Sequence, residues 1–230
     1  MKQIISSLLI SVGLVVLGLF IYKGFTGFAN KDRQVVVRGL AEKEVPANKV
    51  TWPLVVKSLG NDLPQVYNQL TANIATVVDF LKRNGITENE ISTGAPKVWD
   101  KDALTYRTDV SYRYNVSQVI TVTSEQVEAV NALILRQGDL LRLGVALGDD
   151  YQYRTSYEYT LLNDIKPSMI AEATRNAREA AEKFADDSNS KLGNIKSATQ
   201  GQFSINDRDE YTPWIKNIRV VTTVSYALKD

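Results

Sequence analysis

Tyrosine is the residue type whose number and spacing stand out in this chain, with eleven among 230 residues. Tyr151, Tyr153, Tyr157 and Tyr159 are all odd-numbered within one extended-looking segment, and Tyr112 and Tyr114 share the same parity in another. Side chains alternate across a strand, so regular strands would stack each set on one sheet face. Two chemistries fit such a row. Cross-strand aromatic packing contributes up to about 1 kcal/mol per pair. A contact surface is the other, since tyrosine is enriched at protein interfaces. The second reading makes Tyr112, Tyr114, Tyr151, Tyr153, Tyr157 and Tyr159 a candidate interface.

Other constellations are weaker. Ser188-Asn189-Ser190-Lys191 fits the S-x-x-K pattern of serine acyl enzymes, but it follows a helix and lacks the S-D-N and K-T-G companions. Asp149-Asp150 and Asp207-Arg208-Asp209-Glu210 offer oxygen ligands for a hard cation, without EF-hand spacing, and read as solvated loops. Asn115-Val116-Ser117 is a glycosylation sequon placed inside a strand. Gly39, Gly60, Gly144 and Gly148 are isolated turn residues and not a phosphate cradle.

Histidine and cysteine are both absent. That removes the commonest general base and transition-metal ligand, along with Ser-His-Asp triads, thiol catalysis, disulfides and iron–sulfur clusters. The expectation is a non-enzyme without metal or cofactor. A hydrolase built on carboxylates or Lys and a small-ligand or peptide receptor are the alternatives. A formal charge of +1 supplies no basic footprint for nucleic acid.

These residues need elements to position them. Strands are expected over 34–38 (QVVVR) and 50–59 (VTWPLVVKSL), with Pro53 an edge or bulge marker and the ten residues GLAEKEVPAN turning between them. Leu63, Val66, Tyr67, Leu70, Ile74, Val77, Val78 and Leu81 fall on one helical face. Asn61 or Asp62 caps that helix, Pro64 sits in its first turn, and Asn84-Gly85 supplies the exit. Residues 105–123 read as extended, and a second helix starts at Thr123 or Ser124, with Thr123 and Gln126 as a capping box. Residues 140–147 and 151–162 read as strands. A third helix runs from about Ser168 to Asp187, with Ile170, Ala173, Ala177, Ala180, Ala181 and Phe184 as a small-residue stripe able to lie close to a sheet. Residues 195–205 and 217–228 are extended. The sum is an α+β fold with a mostly antiparallel sheet and about three packed helices.

Ahead of this domain, residues 4–22 (IISSLLISVGLVVLGLFIY) run 19 residues without a charge. A helix needs about 20 residues to span a bilayer. The run is longer than a signal-peptide core and ends in bulky Phe20, Ile21 and Tyr22, so residues 1–23 read as an uncleaved transmembrane signal-anchor. Cleavage near Gly27 or Ala29 is the alternative. Residues 24–33 form a tether and 34–230 the domain. Flanking lysines and arginine do not fix the orientation by the positive-inside rule. The very short N-terminal tail before the run (Met1, Lys2 and Gln3) favours export of the domain behind it.

Several segments together carry a family resemblance. They are VRGLAEKEVPANKVTWPLVV, LKRNGITENEIST, VSQVITVTSEQVEAVNALI and, most specific, NDIKPSMIAEATRNAREAAEKFADDSNSKLGNIKSATQGQFSI. Over most of residues 34–229 the chain resembles the SIMPL-domain family of bacterial envelope and periplasmic proteins. The resemblance implies an α+β fold, export across the inner membrane, no established catalytic residues and a tendency to oligomerise. Members often have G-x-G after the first strand, where this chain has Gly39-Leu40-Ala41.

Overall fold

The computed structural model describes residues 11–22, 24, 33–103, 111–148 and 151–229. In chain order its elements are α1 (residues 11–22), β1 (Gln34–Pro46), β2 (Lys49–Gly60), α2 (Leu63–Arg83), β3 (Ile91–Thr93), β4 (Lys97–Asp100) and β5 (Tyr114–Ser124). They continue with α3 (Val127–Leu135), α4 (Gly138–Arg142), β6 (Leu147–Gly148), β7 (Ser156–Glu158), α5 (Leu162–Asp187), β8 (Lys191–Gln200), β9 (Ser204–Asp207) and β10 (Ile215–Lys229). The class is α+β, as expected. Where one domain was expected over 34–230, two compact units divide the chain. The first is Met1–Lys43, Asn163–Ile205 and Ile218–Asp230; the second is Glu44–Leu162 and Asn206–Asn217. The long strands β1 and β10 contribute residues to both.

In the first unit, β1, β10 and β8 lie in that order, and β10 and β8 run antiparallel from Thr222 opposite Gln200 to Lys229 opposite Lys191. Helix α5 buries Met169, Ala173, Ala177, Ala181 and Ala185. The small stripe exists because β1 comes very close. A Cβ placed on Gly39 would lie 1.8 Å from the Ala173 carbonyl oxygen and 2.8 Å from Ala177 Cβ. The helix begins earlier than expected, so that Pro167 lies inside its second turn and leaves the Asn163 carbonyl without its i→i−4 donor. Phe184, expected inside, is exposed, and Met169 takes an inner position.

The second unit is built on a sheet ordered β3-β5-β2-β6, with β4 also paired to β5 and β7 to β2. β2 and β5 are antiparallel from Val50 opposite Ser124 to Gly60 opposite Tyr114. Val50, Trp52, Leu54, Val56, Val116, Ile120 and Val122 are buried and pack with Val66, Leu70, Val77, Phe80 and Leu81 of α2. The expected cap is present: Gln65 N donates to Asp62 Oδ1 at 2.8 Å. Gly85 leaves the helix at φ +93°. Pro53 lies between the β2 residues that pair β7 (49–51) and those that pair β6 (55–56), where its missing N–H leaves no ladder bond unmade.

Four local expectations need correction. β1 continues to Pro46, so the turn before β2 is short. The capping box is formed by Thr87 and Glu90, not by Thr123 and Gln126; the α3 N-terminus uses Ser124 Oγ, which accepts from Gln126 N at 3.0 Å. Residues 140–147, expected as a strand, mostly form α4 and a turn at Gly144 with φ +81°, leaving only β6 extended. Only Ser156–Glu158 of the expected strand over 151–162 pairs, because Asn48 caps it: Thr160 N donates to Asn48 Oδ1 at 2.8 Å.

Residues 4–10 of the expected anchor lie outside the described residues, as do Lys23 and residues 25–32 of the tether. Residues 11–22 are helical with exposed apolar side chains. Among the described residues, no helix is long and apolar enough to cross a membrane.

Candidate functional site

The face of the six-stranded sheet turned away from its core carries a cross-strand row of polar residues. Strand register sets Lys57 of β2 opposite Ser117 of β5, and Ser117 opposite Lys97 of β4. The adjacent row on the same face, two residues along, is Leu59, Asn115 and Trp99. Alternation along each strand puts both rows on one side. Apart from Leu59, these residues line a recess of about 350 Å³ together with Tyr153, Gln152 and Val119. Lys97 Nζ donates to Tyr153 Oη at 2.9 Å and lies 5.5 Å from the ring centre. Gly148 has no side chain where the Lys57 stem passes; a Cβ there would lie 2.7 Å from Lys57 Cδ and Cε.

Tyr153 also lines a second, larger groove of about 730 Å³, the one residue the two share. Its wall is the stretch of β2 around Pro53, between the residues that pair β7 and those that pair β6, with Ile134, Leu135, Leu141 and Leu147 opposite. Leu135 is 88% exposed and Leu141 63%. Leucines so exposed on α3 and α4 form an apolar rim of the kind that marks interaction surfaces.

The tyrosines do not form the expected stacked rows. Residues 153, 155, 157 and 159 do alternate as half-buried positions with exposed neighbours, but only Tyr157 lies in a paired strand. It turns into the core, donates to Asn131 Oδ1 at 2.6 Å and meets the Trp214 ring edge-on at 6.2 Å. Burial raises its phenol pKa. Tyr151 sits in a turn and is 88% exposed. Tyr159 is half-buried beyond β7. Tyr112 is exposed, and Tyr114 opens β5 with the Arg113 guanidinium 4.8 Å from its ring. Separate settings have replaced the two expected rows.

The acids are held by partners. Glu90 accepts from Ser124 Oγ at 2.5 Å and from Thr87 N and Oγ1 at 2.8 and 2.7 Å, which lowers its pKa, with the Ser124 bond the largest cause. Arg113 grips Asp100 through Nε at 3.0 Å and Nη2 at 2.9 Å, lowering the carboxyl pKa and raising that of the guanidinium. Asp209 is drawn down to about 2, first by the Thr212 hydroxyl and then by Arg208. Asp207 pairs with Lys216. Asp149 and Asp150 lie outside the described residues. Among the described residues, no three of His, Cys, Asp or Glu cluster as a metal site would require. The S-x-x-K tetrapeptide is a helix exit: Ser188 Oγ donates to the Ala185 carbonyl at 3.0 Å, Asn189 has φ +50°, and Lys191 begins β8.

Sequence reasoning missed Lys57, Lys97, Trp99, Leu135 and Leu141 as surface groups. Lys97 and Trp99, two apart in an extended segment and with a Trp among polar neighbours, were the available signal. Their alignment with Lys57 depends on strand register across β5, which no local pattern specifies.

Residues 35–218 match the family model described as SIMPL, protein of unknown function (DUF541), and the chain belongs to that family. Comparison with curated proteins gives no match.

Proposed function

We propose that this SIMPL-domain chain is a non-enzymatic binding or assembly module of the bacterial envelope, associating with further copies of itself through the leucine-rimmed groove. Residues 4–22 would hold it as a single-pass protein in the inner membrane, with the folded part facing the periplasm or cell exterior. The 19 uncharged residues support the anchor. Cleavage after the segment would leave the same domain soluble in the same compartment.

The observation that carries the assembly reading is the pair Leu135 and Leu141, 88% and 63% exposed at one groove, with Tyr151 also 88% exposed. Exposing them to water is unfavourable at roughly 25 cal/mol per Å² of apolar surface. A second copy would remove that cost. A hydrolase reading asks for converging carboxylates with raised pKa. The clearly shifted carboxylates Glu90, Asp100 and Asp209 are instead lowered, each by a hydrogen-bonding partner. Sedimentation velocity of the full chain in detergent tests the reading. A concentration-dependent oligomer that Leu135→Ser with Leu141→Ser dissociates is expected; a strict monomer at high concentration would sink it.

A further inference from the structure

We propose that the recess between β2, β5 and β4 binds an acidic saccharide, one or two sugar rings bearing a carboxylate or phosphate, with Trp99 under the ring and Lys57 and Lys97 on the acid. Strand spacing carries the first part of the case. Lys57, Ser117 and Lys97 are register neighbours on three adjacent strands. Their backbones are therefore about 4.8 Å apart in succession, and the two lysines about 10 Å apart. Two long ammonium stems at that separation reach inward to a single anion seated over the Ser117 hydroxyl. The described lining residues include two cations and no acid.

The second part is the aromatic and amide complement. Trp99 is 60% exposed on the same face of β4 as Lys97, so its ring lies open at the recess. Sugar rings present C–H groups on one face, and an aromatic face with its negative quadrupole accepts them. Asn115, Ser117 and Gln152 add amide and hydroxyl groups that both donate and accept, the pairing that sugar hydroxyls need. Tyr153 closes one side and is oriented by the Lys97 bond. At about 350 Å³ the recess falls in the size class of small-ligand sites. A nucleotide would share the charge and the stacking. The single open indole and the hydroxyl-matching floor favour the saccharide. This inference goes beyond the assembly reading and does not depend on it, so the two fail in separate experiments.

The test is calorimetric titration of the full chain, in a detergent with no sugar head group, against glucuronate-containing disaccharide, glucose 6-phosphate, a neutral disaccharide, UMP and inorganic phosphate. Tryptophan emission is followed in parallel. The expected result is binding of both acidic sugars at least about ten-fold tighter than the neutral disaccharide, UMP or phosphate, with a change in emission. Trp99→Ala should weaken every sugar and abolish the emission change. Lys57→Gln with Lys97→Gln should remove the preference for the acid while leaving the neutral sugar unchanged. Gly148→Ala, which displaces the Lys57 stem, gives an intermediate loss. All four positions lie on the sheet surface, and unchanged melting temperatures confirm folded variants. Failure of both acidic sugars to bind, equal or tighter binding of UMP or phosphate, or saccharide affinity indifferent to these substitutions would each overturn the proposal.

Discussion

The two units seat a helix on a sheet in opposite ways. In the second, α2 meets β2 and β5 through large side chains, with Leu70 and Leu81 of the helix and Leu54 and Ile120 of the strands almost wholly buried. In the first, α5 offers alanines, and Gly39 of β1 lies against the helix backbone itself. One contact is stabilised by apolar volume, the other by nearness. The first kind fails when atoms are removed and the second when they are added.

That contrast gives the largest expected effect. Leu81→Ala should cost about 2–5 kcal/mol through the cavity it leaves. Gly39→Ala, which removes nothing, should cost about 1–3 kcal/mol or more by overpacking, since the new methyl meets backbone and cannot be accommodated by a rotamer change. Urea denaturation of both variants checks the pair. A neutral Gly39→Ala would mean that α5 is free to back away, and the comparison would break.

A smaller effect tests how α2 begins. Asp62→Ala removes the acceptor for Gln65 N and should cost about 1 kcal/mol. The loss should be seen as a lower denaturation midpoint with unchanged slope; a changed slope would place the effect in the unfolded state or in cooperativity.

The smallest effect concerns acid. Asp209 has its pKa lowered to about 2. A carboxylate lowered on folding lends stability above its unfolded value of about 3.9, and that contribution fades as pH falls towards the folded value. Its carboxyl carbon should therefore titrate near 2 by NMR, and Thr212→Val should move the midpoint upward, because the Thr212 hydroxyl is the largest cause. A wild-type midpoint near the unfolded value would contradict this.

Much of the fold was legible because it is written locally. The Leu63-to-Leu81 face, the Asp62 cap and the Asn84-Gly85 exit follow from helical period and turn chemistry, and the structure repeats them. The extended character of the segments that form β5 and β10 was equally direct. Errors came where a neighbour decided the outcome. Residues 140–147 are apolar enough for a strand, yet only Leu140 and Val145 turn fully inward, five residues apart, and the segment winds into α4 and the turn behind it. The tyrosine segment keeps its period of two, but β2 offers it only three pairing positions before the groove opens. For the same reason the candidate site was hardly visible: Lys57, Ser117 and Lys97 are far apart in sequence and meet only through register.

The assembly claim is tested most directly in intact cells, with a photoreactive residue in place of Leu135. Irradiation should give a covalent species at twice the mass of the chain, carrying the chain alone, with the same residue in place of Glu179 on the outer side of α5 giving none. A chain that stays at its own mass, or is captured equally from both positions, would contradict assembly through the groove.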